Sequence, residues 1–273
     1  MRAANHTVPR RLIIHLGVQK TGSTALHHFL QSNHAALAGR LDVMTPVKGS
    51  AMRELGRLAA RFSLSASEEP AFLAAIDTVR TALAQGQGTC LLSHENLPGA
   101  MPGRGGVTAL FPQLEAIIAR LEARLAPHRP EYALYTRAMP AWKRSVHNQA
   151  VRSDNYTGTL PEFLAETAAV TDWQPLAARL DAAAPGRAHI FRLEDEPDST
   201  RPGQQLLRLA GLSADEIATL APLSGKRNPS LNSGALEFMR LLNGLDLARP
   251  ARRAVADLIH QNPALFTTHC PAR

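Results

Sequence analysis

Cysteine is nearly absent from this chain. Only Cys90 and Cys270 occur in 273 residues. They make no metal-ligand spacing, and so sparse a cysteine content fits a reducing cytoplasm. Cys90 lies inside an apolar run and reads as a core hydrophobe. Aromatic residues are 5% of the chain, and no stripe of basic and aromatic residues is present on which bases could stack, which argues against a nucleic-acid partner. No apolar run approaches the length of a membrane span, so no integral membrane segment is expected. Residues 1–10 are polar, lack a signal-peptide apolar region and are expected to lie outside the ordered fold. Lysine is also scarce: Lys20, Lys48, Lys143 and Lys226 are the only four. The eleven histidines are scattered. His27 and His28 are adjacent on a helical segment and cannot share a face, so no metal site is expected.

What is present is a globular composition, 45% hydrophobic, with net charge +7 and a sequence pI near 10.1. The basic excess suits an anionic cofactor or an acidic substrate. Short apolar runs at 12–16, 89–93, 132–136 and 188–193 read as strands. Between them lie segments of helical periodicity, such as Phe72, Leu73, Ile76, Val79 and Leu83 along one face. Strands alternating with helices argue for an α/β fold with a central, mostly parallel sheet covered on both faces in three layers. With no repeat and no clear linker, residues 1–273 read as a single domain.

The most informative stretch runs from Arg11 to Leu26. The first strand ends in Gly17-Val18-Gln19-Lys20-Thr21-Gly22-Ser23-Thr24, and a helix follows at once. A glycine-bounded loop feeding a helix N-terminus gathers backbone amides and partial positive charge at one spot, a cradle for an anion. Nucleotide-binding P-loops share this frame but carry lysine directly after the second glycine. Here that position is Ser23, and the cation, Lys20, sits inside the loop.

This arrangement resembles the sulfotransferases that use 3′-phosphoadenosine-5′-phosphosulfate (PAPS), whose loop reads Lys-[Ser/Thr]-Gly-[Ser/Thr]-Thr. Lys20, Thr21, Gly22, Ser23 and Thr24 match it position by position. The resemblance implies a P-loop nucleotide-hydrolase-like fold and a loop that holds the 5′-phosphosulfate. A second segment extends it. The strand at 132–136 ends in Arg137, and Ser145 follows eight positions later on a helix. In the family an arginine and a serine so spaced hold the 3′-phosphate, and arginine's planar fork suits that role. The segment Ser145-Val146-His147-Asn148-Gln149 looks closer to a bacterial branch than to the animal cytosolic one. A late basic segment, Gly225-Lys226-Arg227-Asn228-Pro229-Ser230, would by resemblance fold over the 3′-phosphate and adenosine through Lys226, Arg227 and Asn228.

Transfer to an acceptor also needs a base. The strand at 89–93 ends in Ser93-His94-Glu95, which offers two candidates. Neighbours on a strand point opposite ways, so one of them faces the substrate. Glu95 is favoured and His94 is kept. The expected activity is therefore transfer of a sulfuryl group from PAPS to a hydroxyl or amine acceptor, a small molecule or a carbohydrate. Adenosine 3′,5′-bisphosphate (PAP) leaves as product, Lys20 steadies the leaving phosphate, and no metal takes part. Two other readings stand beside it: a P-loop kinase or related phosphotransferase, and a non-catalytic polyanion-binding protein. Neither the acceptor nor the oligomeric state is encoded in any motif.

Overall fold

Residues 9–224 and 231–266 are described by the computed structural model. In chain order the elements are β1 (Leu12–Gly17), α1 (Ser23–Ser32), α2 (His34–Leu37), β2 (Leu41–Met44), α3 (Ala51–Phe62), α4 (Glu69–Leu83), β3 (Thr89–Ser93), α5 (Leu114–Leu125) and β4 (Glu131–Thr136). Then follow α6 (Met139–Ser153), α7 (Leu160–Glu166), α8 (Gln174–Ala183), β5 (Ala188–Arg192), α9 (Gln204–Leu209), α10 (Ala214–Thr219), α11 (Ser233–Asn243) and α12 (Arg249–Gln261).

Five strands form one sheet in the order β2-β3-β1-β4-β5, every pair parallel. Helices cover both faces, which makes the expected three-layer α/β/α arrangement. The central strands are apolar almost throughout because both faces are buried. On one face Ile13, Leu91, Ala133 and Tyr135 pack with Leu26, Phe29 and Leu30 of α1 and with Leu206 and Leu207 of α9. The helices α3, α4, α5 and α8 pack in series, on the other face by the right-handed rule for parallel crossovers.

The order of strands decides where a ligand belongs. The chain leaves β1 towards β2, crossing β3, and leaves β3 towards β4, crossing β1. The two connections diverge to opposite faces, so the carboxyl ends of β1 and β3 flank a topological switch point, where open α/β sheets bind ligands.

Two elements escape the sequence pattern, β2 and α2. Each has four residues, too few to show a period, and Asp42 interrupts the apolar character of β2. Arg10 also departs from expectation. Its guanidinium donates to Asp42 at 2.9 Å and to the carbonyls of Leu83, Gln87 and Gly88, and its amide donates to His128 Nδ1. The order of the chain therefore reaches back to that residue.

The chain divides into two compact units. One comprises Met1–Met101, Leu110–Met139 and Asp172–Ser224 and carries the whole sheet; the other comprises Pro102–Ala109, Pro140–Thr171 and Gly225–Arg273. The second unit has its own small core of Val151, Ala235, Met239, Leu242 and Ile259, with Tyr156 and Phe266 packed against it. Within it Lys143 Nζ donates to the Thr167 carbonyl at 2.6 Å, and burial holds the Lys143 ammonium below its ordinary range. No helix among the described residues is long and apolar enough to cross a membrane.

Candidate functional site

The loop after β1 runs from Gly17 to Gly22 and leads straight into α1. Gly17 has φ 102°, and a Cβ there would stand 2.7 Å from the Cα of Glu95. Only glycine tolerates both that conformation and that approach. The contact joins the glycine-framed loop directly to the segment after β3. A second latch reinforces it: Gln19 Nε2 donates to Asn96 Oδ1 at 3.0 Å and to the Gly99 carbonyl at 2.9 Å.

Lys20 adopts φ 69°, the left-handed region that a long L side chain avoids at a cost of about 1–2 kcal/mol. Such strain persists only where the surroundings impose it, and it clusters at ligand-binding loops. Gly22, also left-handed, starts α1 without a side-chain cap. The first amides of the helix therefore have no intrahelical or capping acceptor.

The hydroxyls of the loop do not all face one way. Thr21 Oγ1 and Ser23 Oγ are buried and donate to the Val18 carbonyl at 2.7 and 3.3 Å. They brace the turn. Thr24 is exposed at the start of α1.

Behind the loop lies a buried polar cluster. His15 and Ser93 face each other in register across β1 and β3, and His15 Nδ1 lies 2.7 Å from Ser93 Oγ. His27 reaches the same hydroxyl from α1, with Nε2 at 2.9 Å. The other nitrogen of His27, Nδ1, stands 3.6 Å from Glu95 Oε2. His94 Nδ1 is 3.8 Å from the same oxygen but already accepts from the Asn96 amide at 3.0 Å. Its ring packs so closely on α3 that a Cβ at Gly56 would lie 2.2 Å from it.

Burial sets the charge of this cluster. It drives His15 down to about 3, helped by the neighbouring His27. It drives His27 down to about 4 against the opposing pull of the Glu95 carboxylate. It lowers His94 to about 4, aided by the Arg53 guanidinium. All three are neutral imidazoles at pH 7. Glu95 Oε2 is buried and has no hydrogen-bond partner among the described residues, although the side chain as a whole is 31% exposed. A buried carboxylate oxygen in that state calls for an explanation.

Arg137 follows β4 at the same edge of the sheet. Its carbonyl accepts from Trp173 Nε1 at 2.7 Å, and its half-buried guanidinium forms no hydrogen bond or ion pair among the described residues. Close by, burial works against the charge on Glu194. The Ala138 amide, donating at 2.8 Å, and the Arg192 and Arg137 guanidinium groups outweigh it and hold that carboxyl below its ordinary range.

The first unit thus holds Gly17, Lys20, Thr21, Gly22, Ser23, Thr24, His94, Glu95 and Arg137, and brings the loop against Glu95. Ser145 lies half-buried on α6, in the second unit. Lys226, Arg227 and Asn228 fall outside the described residues. Cys90 is fully buried in β3, and burial pushes its thiol up to about 12.

Sequence reasoning missed His15 and His27. A signal for His27 exists: it lies one helical turn beyond Ser23, so it shares the face that α1 turns towards the strand ends. His15 sits two residues before Gly17 in a run that otherwise reads as apolar, and only the register with Ser93 reveals its role. No family model, curated protein or solved structure matches this chain.

Proposed function

We propose that this chain transfers a sulfuryl group from PAPS to a hydroxyl or amine acceptor, a small molecule or a carbohydrate. The observation that carries the reading is the contact of Gly17 on Glu95 at the β1/β3 switch point. It sets an amide-rich loop bearing a cation beside a carboxylate whose inner oxygen is unpaired. In-line group transfer needs those two elements together, one to hold and neutralise the donor and one to take the acceptor's proton.

For a hydroxyl acceptor, its oxygen forms a bond to sulfur as the bond from sulfur to the bridging phosphate oxygen breaks. The hydroxyl proton passes to the Glu95 carboxylate. The products are the sulfate ester and PAP. The uncapped start of α1, the loop amides and Thr24 hold the 5′-phosphate. Lys20 neutralises the charge that builds on the bridging oxygen, as cations do in phosphoryl transfer. Arg137 offers its guanidinium to the 3′-phosphate. Glu95 is the base in this reading because His94 Nδ1 is already committed to the Asn96 amide. The reading takes the protein to be cytoplasmic, with no nucleic-acid partner and no metal in the chemical step.

A thermal-shift comparison tests it. PAP is expected to raise Tm without metal, and ATP with magnesium to do so weakly. Stabilisation by ATP–magnesium and not by PAP would favour a kinase. Stabilisation by any polyanion, lost at moderate salt, would favour simple anion binding. Lys20→Ala is expected to abolish turnover with a smaller loss of PAP binding, because its charge matters most in the transition state.

A further inference from the structure

The buried cluster behind Glu95 has a proton arrangement that its own geometry dictates. Ser93 Oγ carries one proton and lies within hydrogen-bond distance of His15 Nδ1 and His27 Nε2, with no third partner among the described residues. The hydroxyl must therefore donate to one ring and accept from the other. Two arrangements satisfy this.

In the first, His27 donates from Nε2 and Ser93 donates to His15. Neutral His27 then presents a bare lone pair at Nδ1 to the lone pairs of Glu95 Oε2. His15 carries its proton on Nε2, a buried atom that makes no hydrogen bond to any described residue, although the Gly17 backbone lies near the ring. In the second, His15 donates from Nδ1 and Ser93 donates to His27 Nε2. His27 then carries its proton on Nδ1, aimed at Glu95 Oε2, and His15 Nε2 is left as a bare acceptor. A buried donor that makes no hydrogen bond is costly, and two acceptors face to face repel. The second arrangement removes both faults. His94 cannot take over the task, because its Nδ1 accepts from the Asn96 amide and so carries no proton.

We propose that His27 is the residue that positions Glu95: it presents Nδ1–H to Oε2, in a tautomer fixed by Ser93 and His15, and so leaves Oε1 to meet the acceptor. The inference rests on the reading of Glu95 as base. The separation of 3.6 Å lies just beyond a hydrogen bond, and catalytic contacts of this kind close when substrate binds. A neutral donor suits the role: it steadies the carboxylate without the full charge that would blunt it as a base. The groups facing the pair are His15 from β1, Ser93 at the end of β3, His94 just after it, His28 on α1 and Arg53 on α3.

The first test needs no substrate. In the ¹⁵N spectrum of the full chain at pH 7, His27 is expected to show a protonated Nδ1 and a bare Nε2. In Ser93→Ala the two tautomers are expected to mix. A proton resting on Nε2 in the unaltered protein would overturn the proposal, whatever the enzyme does with PAPS. The second test follows sulfate transfer from PAPS to simple alcohols. In His27→Leu, kcat is expected to fall about 10- to 100-fold with KM for PAPS unchanged, and the acid limb of the rate profile to move up by about one pH unit. His27→Asn, which keeps an N–H where Nδ1 stood, is expected to restore most of the rate and the profile. Equal losses in both variants, or none in either, would overturn the positioning role. An expected ¹⁵N pattern in a protein that does not turn over PAPS would retain the tautomer assignment and reject the sulfuryl-transfer reading alone.

Discussion

The two ends of the sheet are built on opposite terms. At the amino end, charges are matched. Arg10 meets Asp42, Arg11 and His189 share Glu131, and Arg187 and the Tyr132 hydroxyl converge on Glu122. At the carboxyl end, Glu95 Oε2 and His15 Nε2 are buried without partners, Lys20 is held in a left-handed conformation, and α1 starts uncapped. Both ends close off the same five strands. The difference teaches that the amino end pairs its charges, Arg187 Nε excepted, while the carboxyl end leaves a carboxylate oxygen and a ring nitrogen without hydrogen-bond partners among the described residues.

That contrast can be broken by experiment. The largest expected effect is at the carboxyl end. Glu95→Gln should lower turnover at least about 100-fold while urea melts show little change, since the residue makes no hydrogen bond that folding depends on. A large drop in stability would move Glu95 to the structural side of the comparison.

Next comes pH. His15, His27 and His94 are neutral in the fold down to about 3 or 4 but titrate near 6.5 once unfolded. Below pH 6.5 the unfolded chain binds more protons, so stability is complete above that value and is lost as pH falls towards 4. A loss of about 3 kcal/mol for each of the three rings across this window is expected in urea titrations. A flat profile would mean that the cluster is hydrated rather than dry.

At the amino end the expectation reverses. Glu122→Ala should destabilise by about 2 kcal/mol, because it strips Arg187 and the Tyr132 hydroxyl of their shared acceptor. Turnover should not change. The smallest effect is expected for Arg11→Ala. That pair with Glu131 is partly exposed and Glu131 keeps His189 as a second partner, so its removal should stay within about 1 kcal/mol in the same melts. A catalytic defect in either variant would erase the division between the two ends.

Much of the fold was legible in the sequence. The residues 23–32 and 89–93 form the helix and strand that their pattern predicts, because glycine boundaries and apolar period are local signals. The capping box at Ser213 and Glu216 is present with both hydrogen bonds. The site was legible only in part. The Gly17–Thr24 loop announces itself because a strand, a glycine-framed turn and a helix are contiguous. Glu95, the proposed base, announces itself as part of a polar strand end. The histidines behind it do not, since His15 and His27 are twelve positions apart and belong to Ser93, more than sixty residues further on. Thr21 and Ser23 read as ligand contacts in sequence, yet their hydroxyls turn inwards to Val18, a choice made by a tight turn seeking acceptors for its own polar groups.

What the chain order alone determined is local: which segments are strands and helices, that the central strands are buried on both faces, and that a glycine-framed loop opens the first crossover. These follow from side-chain period and glycine conformation, which act over a few residues. Only the tertiary structure decided that β1 and β3 are neighbours whose crossovers part in opposite directions, and that one serine sits between two buried histidines. Strand order and proton order both depend on partners brought together from distant parts of the chain, and no local pattern encodes them.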